Sequence, residues 1–286
     1  MVRQLIAEQF PAWAELPVLP VPTSGWDNRT FRLGDSMLVR LPSGEAYADA
    51  VGREQLWLPR LAPLLPLPIP EPLAEGAPGA GYPWCWSVYR WLDGEVASRQ
   101  DVADLSRFAI NLADFLLALQ RIPATDGPGG RFRGGSLDRC QPQVAAAMEA
   151  LTRTGDVDGE VVRAIWAAAV AAPLEAEPVW FHGDVAAGNL LTRNGVLSAV
   201  IDFGGLAVGD PACDMTIAWT FLDAASRDAF RARLGVSEAL WNRGRGWALW
   251  KALIVEAGMI ETNVIETASS RYALDQLIDD HRARAA

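Results

Sequence analysis

Asn194-Gly195 constrains this chain more than any other pair of residues. It lies between two strand-like apolar runs, Leu190-Leu191-Thr192 and Val196 to Ile201. Both residues tolerate positive φ, which a two-residue hairpin turn requires. Pairing back from the turn sets Arg193 opposite Val196 and Asn189 opposite Val200. Asp202 then falls two residues beyond the partner of Asn189. Diagonal neighbours in a sheet are about 7–8 Å apart, close enough to share one ion. Upstream, Pro178 to Phe181 reads as a short strand leading into the loop that carries His182 and Asp184.

The hairpin therefore frames an H-x-D-x-x-x-x-N array, His182, Asp184 and Asn189, followed by Asp202-Phe203-Gly204. Phosphoryl transfer asks little more of side chains. A carboxylate must orient and deprotonate a hydroxyl, the role expected of Asp184. An amide and a carboxylate must hold Mg²⁺ on nucleotide phosphates, the role expected of Asn189 and Asp202. Each short motif alone is weak, because Asp and Asn beside glycine are common turn formers. Their combination around one hairpin carries the reading.

Composition narrows the alternatives. A chain of 286 residues, half of them hydrophobic, is long enough for one large domain or two lobes. A net charge of −10 argues against a nucleic-acid binder, which usually presents a basic face. Cys85, Cys140 and Cys213 are odd in number and lack C-x-x-C spacing, so no disulfide framework or zinc knuckle is expected. Met1 to Phe10 does not read as a signal peptide, and Ala248 to Ile260 is too short and too charged to span a bilayer. The expectation is a soluble cytoplasmic protein with no membrane partner. Lys251 is the only lysine, so nearly all positive charge is arginine.

Along the first lobe, Thr30 to Leu33 and Met37 to Leu41 flank Gly34-Asp35-Ser36 as a hairpin would. Ala50 to Leu65 has helical spacing, with Val51, Leu56 and Leu61 as its apolar stripe. Pro63 to Pro72 reads as a stiff connector, and Trp84 to Trp91 as a strand. Leu92-Asp93-Gly94-Glu95 is taken as the boundary between a nucleotide-binding lobe, 1–91, and a catalytic and acceptor-binding lobe, 92–286. Beyond it, Val102 to Ile122 has a strong 3.6-residue period. Gly127 to Gly135 reads as a solvated connector. Val144 to Leu151, Val161 to Ala171, Asp214 to Ala224 and Trp241 to Thr262 are expected helices, with a polar tail to Ala286. The expected fold is α+β and protein-kinase-like: two lobes, a small mainly β N-terminal one and a larger helical C-terminal one.

Such a site needs parts from the first lobe. Ser24-Gly25-Trp26-Asp27-Asn28 would form either a loop covering phosphates, which makes Asn28 a candidate nucleotide contact, or a plain turn. Arg40 occupies the strand position where a phosphate-binding lysine would sit, and its planar fork can grip phosphate. Glu54, on the first long helix, would pair with Arg40 and aim it. Val88-Tyr89-Arg90-Trp91 would be the hinge, with backbone groups on the base edge and Tyr89 and Trp91 as nucleotide contacts, or, as aromatic strands more often are, part of a core.

SGWDNRTFRLGD, MLVRLP, SVYRWLDGE, VWFHGDVAAGNLL and AVIDFGGLAVGDPACD together resemble the aminoglycoside phosphotransferase family. That family includes macrolide phosphotransferases and is related to choline and fructosamine kinases. The resemblance runs from about Thr23 to about Leu253. It implies ATP or GTP as donor, Mg²⁺, a small-molecule acceptor hydroxyl and a place among antibiotic-resistance enzymes. It makes Asp184 the base, Asn189 and Asp202 the metal ligands, and Arg40 and Glu54 the phosphate-positioning pair. Asp210 and Asp214 match the family's D-P-x-x-D, which orders the loop behind the site. Two positions depart from the usual pattern: Arg40 replaces lysine, and Val185-Ala186-Ala187 replaces Leu-His-Pro.

The acceptor is not settled by these residues. Glu256, in an apolar stretch with Asn263 on nearly the same face, would suit a cationic aminoglycoside-like acceptor, or would pair with an internal arginine. Trp219, Phe221, Trp247 and Trp250 would suit an apolar macrolide, or core packing. A choline- or fructosamine-type metabolite kinase and a nucleotide-binding regulator without activity complete the alternatives. A metal-dependent phosphoesterase is disfavoured, since His182 and His281 are the only histidines.

Overall fold

A computed structural model describes residues 1–22, 27–130, 132–174, 177–262 and 264–285, the side chains at 264, 265 and 285 excepted. It divides into two compact units. One is Met1–Glu95 with Ser198–Gly204, and the other is Val96–Leu197 with Gly205–Ala286. The return of Ser198–Gly204 to the first unit has no signal in composition, and it brings Asp202 with it.

The first unit begins with a helix the sequence reading did not foresee, α1 (Val2–Gln9), which buries Val2, Leu5 and Ile6. Strands β1 (Val18–Pro20), β2 (Asn28–Leu33) and β3 (Met37–Pro42) follow, then helix α2 (Glu45–Leu61) and strands β4 (Pro72–Gly76) and β5 (Trp86–Arg90). They form an antiparallel sheet in the order β1-β2-β3-β5-β4. Gly34, at φ 57°, turns β2 into β3 as expected. Side chains alternate across the sheet. Val39 and its partner Val88 join Leu33, Leu41 and Trp86 in one core with α1. Arg40, with its partner Ser87, and Tyr89, with its partner Leu38, share the opposite face. Proline opens β4, where it is tolerated because β4 is an edge strand.

Helix α2 starts earlier and ends earlier than the spacing suggested, and its stripe is different. Its buried residues are Val51, Glu54, Leu58 and Leu61, whereas Leu56 is 47% exposed. The 3.6-residue period was present. It was obscured because one position on the inward face is a carboxylate. The proline-rich connector begins with a turn of 3₁₀ helix at Ala62–Leu64.

The second unit contains the short strand β6 (Glu95–Val96) from its first end, then helices α3 (Leu105–Arg121), α4 (Gln141–Thr154) and α5 (Gly159–Ala171). Asp104 and Asp158 accept backbone N–H groups at the starts of α3 and α5, as N-cap residues do. The strands β7 (Val179–Phe181), β8 (Leu190–Arg193), β9 (Val196–Val200), whose last three residues belong to the first unit, and β10 (Ala207–Gly209) follow. Asn194 and Gly195 take φ of 52° and 74°, the hairpin geometry read from sequence. Gly127 to Gly135 is not a solvated connector. Its backbone packs on β10, with Val208 donating to Pro128 O at 2.7 Å and Gly130 to Val208 O at 3.3 Å. β10 was missed because three residues carry too little periodicity to read.

Helices α6 (Ile217–Thr220), α7 (Ala224–Leu234), α8 (Glu238–Glu256) and α9 (Val264–Ala285) complete the unit. The expected helix over Asp214 to Ala224 is a 3₁₀ segment followed by the single turn of α6. Helix α7 was signalled locally by Asp223 and Ser226, which form a capping box. Helix α8 is buried nearly all round, so it lies at the centre of its unit. The expected polar tail is α9 instead. It buries Ala273, Leu274 and Leu277 and accepts a hydrogen bond at Gln276 from the buried Arg227. That stripe is too narrow to stand out among charged residues. No described helix is long and apolar enough to cross a membrane.

The cysteines offer a check on these cores. Burial pushes the Cys140 thiol up to about 11, and burial followed by the Asp214 charge pushes Cys213 well above its ordinary value. A maleimide at pH 8 is expected to modify Cys85, which is half-buried, and to spare the other two until the chain is denatured. Mass spectrometry showing rapid modification of all three thiols in the folded protein would contradict this packing.

Candidate active site

In the first unit, the sheet face bearing Arg40 is covered by α2, where Glu54 and Gln55 bond to the sheet and Arg53 to the segment after Asp202. Glu54 Oε1 and Oε2 accept from Arg40 Nη1 at 3.3 and 3.4 Å. Gln55 Nε2 donates to Ala74 O and Ser87 Oγ, both at 3.0 Å. Arg53 Nη2 donates to Gly204 O at 2.9 Å. Arg40 Nη2 donates to Asp202 Oδ1 at 2.8 Å, so one guanidinium bridges two carboxylates. Asp202 holds a left-handed φ of 63°.

Electrostatics follow from that crowding. Burial alone would push the Arg40 guanidinium down. The Asp202 and Glu54 carboxylates outweigh it and hold Arg40 above its ordinary value. For Glu54, burial wins and raises the carboxyl, with Arg40 and the Tyr89 hydroxyl pulling the other way. Tyr89 is 1% exposed and its hydroxyl donates to Glu54 Oε2. Burial and the Glu54 charge push that phenol well above its usual range.

The other expected nucleotide contacts are placed differently. Asn28 opens β2, opposite Pro42, and is partly buried. Ser24-Gly25-Trp26 lies outside the described residues. The Tyr89 ring is turned into the α2 packing, so it offers no open face to a base. Trp91 is stacked by Arg32, whose guanidinium carbon is 3.9 Å from the ring centroid, and its backbone N–H donates to Ser36 O at 2.8 Å.

In the second unit, β7 delivers His182 and Gly183 to the fully buried Asp214. His182 N–H donates to Asp214 Oδ2 and Gly183 N–H to Oδ1, each at 2.8 Å. Burial raises the Asp214 carboxyl, and His182 and the two N–H groups pull it back down. Gly183 has φ 87°, and an added Cβ would lie 2.4 Å from Gly205 O, so only glycine fits. The next residue, Asp184, is exposed. Its N–H donates to His182 Nδ1 at 3.2 Å. Asn189 Nδ2 donates to Asp184 O and to Asp184 Oδ2, both at 2.9 Å, which steers the carboxylate and turns the Asn189 Oδ1 away from it.

Asp210 anchors the same region to α8. It receives Arg243 Nε and Nη2 at 2.8 and 2.9 Å, and Arg243 Nη1 also donates to Pro173 O. Arg243 was not foreseen, because a charge inside a tryptophan-rich helix gives no sign of its partner. Glu256 Oε2 pairs with Arg271 Nη1 at 3.3 Å, and its buried Oε1 has no hydrogen-bond partner among the described residues. Asn263 lies outside the described residues. The aromatics are mostly core: Trp219 packs on Trp241, Phe221 on Phe108, and Trp247 on Trp250. Among the described residues, no three His, Cys, Asp or Glu side chains converge to hold a metal. Asn189 and Asp202 supply hard oxygens of the kind Mg²⁺ takes in ones and twos, with substrate phosphates completing its shell.

Comparison with known proteins identifies the family and the fold. The profile of the phosphotransferase enzyme family, APH, matches residues 18–250. No curated protein matches the chain. Among solved structures, the GDP and kanamycin complex of APH(2")-IIia is 18% identical with a TM-score of 0.74, covering 100% of this chain and 99% of that one. The streptomycin–ATP–APH(2")-IIa ternary complex is 16% identical with a TM-score of 0.59, covering 97% and 96%. The apoenzyme of macrolide 2'-phosphotransferase MphH from Brachybacterium faecium is 18% identical with a TM-score of 0.63, covering 96% of each chain. The chain belongs to the phosphotransferase enzyme family and has the kinase-like fold of these structures, with a mainly β N-terminal region and a helical C-terminal region.

The buried Asp214 clamp makes a test of the loop. Asp214→Ala leaves two buried backbone donors without an acceptor and is expected to cost about 3 kcal/mol of stability. Urea unfolding monitored by tryptophan fluorescence measures it. A loss below about 1 kcal/mol would mean that the loop does not depend on this carboxylate.

Proposed function

We propose that this phosphotransferase moves the γ-phosphoryl group of ATP or GTP to a hydroxyl of an aminoglycoside-like acceptor. The observation that carries the reading is the state of Asp184. Its carboxylate is exposed, while the backbone behind it is pinned by Asp214 and the carboxylate itself is steered by Asn189. A group held this way can orient an incoming hydroxyl and take its proton as the phosphorus–oxygen bond forms.

The remaining roles are assigned on the same reading. Asn189 Oδ1 and the Asp202 carboxylate would hold Mg²⁺, which supplies charge neutralisation at the nucleotide phosphates when bound. Arg40, backed by Glu54, would contact a phosphate through its planar fork. Asn28 and Trp91 are retained as nucleotide contacts, Trp91 through its place after β5. The neighbours bound to GDP and to ATP support a nucleotide donor without choosing between the two.

An amine-bearing acceptor is favoured over a macrolide by what the aromatic residues do. Trp219, Phe221 and Trp247 are 3% exposed or less and packed on other rings, which removes the main reason to expect an apolar pocket. Glu256 remains the candidate acceptor contact through Oε1 alone, since Oε2 is paired with Arg271.

Phosphotransfer with ATP and GTP across aminoglycosides, macrolides and amino alcohols tests the function. Asp184→Ala is expected to lower kcat by about 10²–10⁴-fold while Mg-nucleotide affinity stays within about twofold. Turnover within about tenfold of wild type would remove Asp184 from its role. Nucleotide binding with no transfer to any acceptor would instead favour a regulator.

Glu256→Gln separates the two uses of that carboxylate. As an acceptor contact, its loss raises acceptor KM by about tenfold or more with little change in melting temperature. A large drop in melting temperature with unchanged KM would leave Glu256 as the partner of Arg271 and nothing else.

A further inference from the structure

Arg40 stands between two carboxylates that make unequal claims on it. The Asp202 contact, at 2.8 Å, is short, and the two Glu54 contacts, at 3.3 and 3.4 Å, are long. A guanidinium shared in this way takes its angle from both acceptors, so the longer contact orients it only where Glu54 is itself held. Glu54 is 5% exposed, so it keeps its place beside Arg40 through the protein groups that bond to it, and losing them would release that arm of Arg40.

One residue opposes that release. The Tyr89 hydroxyl donates to Glu54 Oε2, while Arg40 binds from Nη1 to both oxygens of the same carboxylate. The Tyr89 ring also lies under the guanidinium, with the Arg40 carbon 5.9 Å from its centroid. Strand register explains the fit. Arg40 faces Ser87 across β3 and β5, and Tyr89 is two residues further along the same face of β5. The docking of α2 does not hang on this contact. Gln55 ties the helix separately to Ala74 O and Ser87 Oγ, and Arg53 ties it to Gly204 O.

We propose that Tyr89 is a positioning residue for nucleotide binding: its hydroxyl fixes Glu54, and Glu54 sets the angle of the Arg40 guanidinium, whose other arm bonds to Asp202. The proposal rests on the reading of Arg40 and Asp202 as nucleotide and metal contacts. Without the hydroxyl, Glu54 loses a donor, and Arg40 keeps its Asp202 contact but loses the fixed carboxylate that aims its fork. Tyr89 would thus act through its neighbours and touch neither nucleotide nor acceptor with its side chain.

The test is Tyr89→Phe, which keeps the ring and deletes the donor, beside Glu54→Gln and the double variant. Calorimetric titration with Mg-ATP and with Mg-GTP, and steady-state KM for nucleotide and acceptor, are the readouts. Tyr89→Phe is expected to raise the nucleotide Kd and KM by about three- to tenfold, with acceptor KM unchanged. The double variant is expected to be no worse than Glu54→Gln alone, because both changes break one chain of contacts. Unchanged nucleotide affinity in Tyr89→Phe, with or without a lower melting temperature, would overturn the proposal. Strictly additive effects would overturn it too. If Tyr89→Phe does not fold, an unaltered nucleotide Kd in Glu54→Gln would overturn it just the same. A wild-type chain that binds neither nucleotide would overturn it together with the reading beneath it, and is recognised because no variant is then needed.

Discussion

Two backbone N–H groups on one buried carboxylate hold the reactive loop together. Asp214 has no exposure, and the His182 and Gly183 amides satisfy both of its oxygens. A carboxylate in that setting is tolerable only because those donors are there, and the donors are tolerable only because of it. Everything exposed at the loop tip inherits its position from the exchange. Asp184 follows a glycine that no other residue could replace, and Asn189 closes the turn back on it. The segment HGDVAAGN is thus buried at its base and at Val185, and exposed at Asp184 and Gly188.

The first unit is built on a comparable principle with the charges multiplied. A helix that ordinarily would turn apolar residues inward turns Glu54 inward instead, and flanks it with Arg53 and Gln55 as separate anchors. Apolar packing by Val51, Leu58 and Leu61 holds the helix on the sheet. The polar residues then decide its rotation and where along the sheet it sits. Buried ion pairs of this kind add little net stability, because desolvation offsets attraction. They are better understood as fixing one arrangement among several of similar energy.

How much of this the amino-acid order discloses depends on range. The Asn194-Gly195 turn, the 3.6-residue period of α3 and the paired motifs around Asp184 and Asp202 were legible, because each is written within twenty-five residues or so of chain. Arg40 and Glu54 were legible as a pair through helix and strand spacing and family likeness, and the structure brings them together. The stripe of α2 was misread because an inward-facing glutamate looks like a surface residue until its partners are known. Tyr89 was legible as hinge or core from its place on an aromatic strand, while the bond from its hydroxyl to Glu54 was not. Arg243 with Asp210, and the return of Ser198–Gly204 to the first unit, join residues too distant in the chain for any periodicity to connect. The loop from Gly127 and the helix at the C-terminal end were underrated for the opposite reason. Their burial is slight per residue and becomes visible only once the opposing surface exists.

The arginine at position 40 has a geometric consequence. Two arms of one guanidinium serve two carboxylates at once, Nη1 on Glu54 and Nη2 on Asp202. A lysine offers a single nitrogen on a flexible stem and has no fork to divide between them. The shape of this side chain, and not its charge alone, joins helix α2 to the segment that carries Asp202.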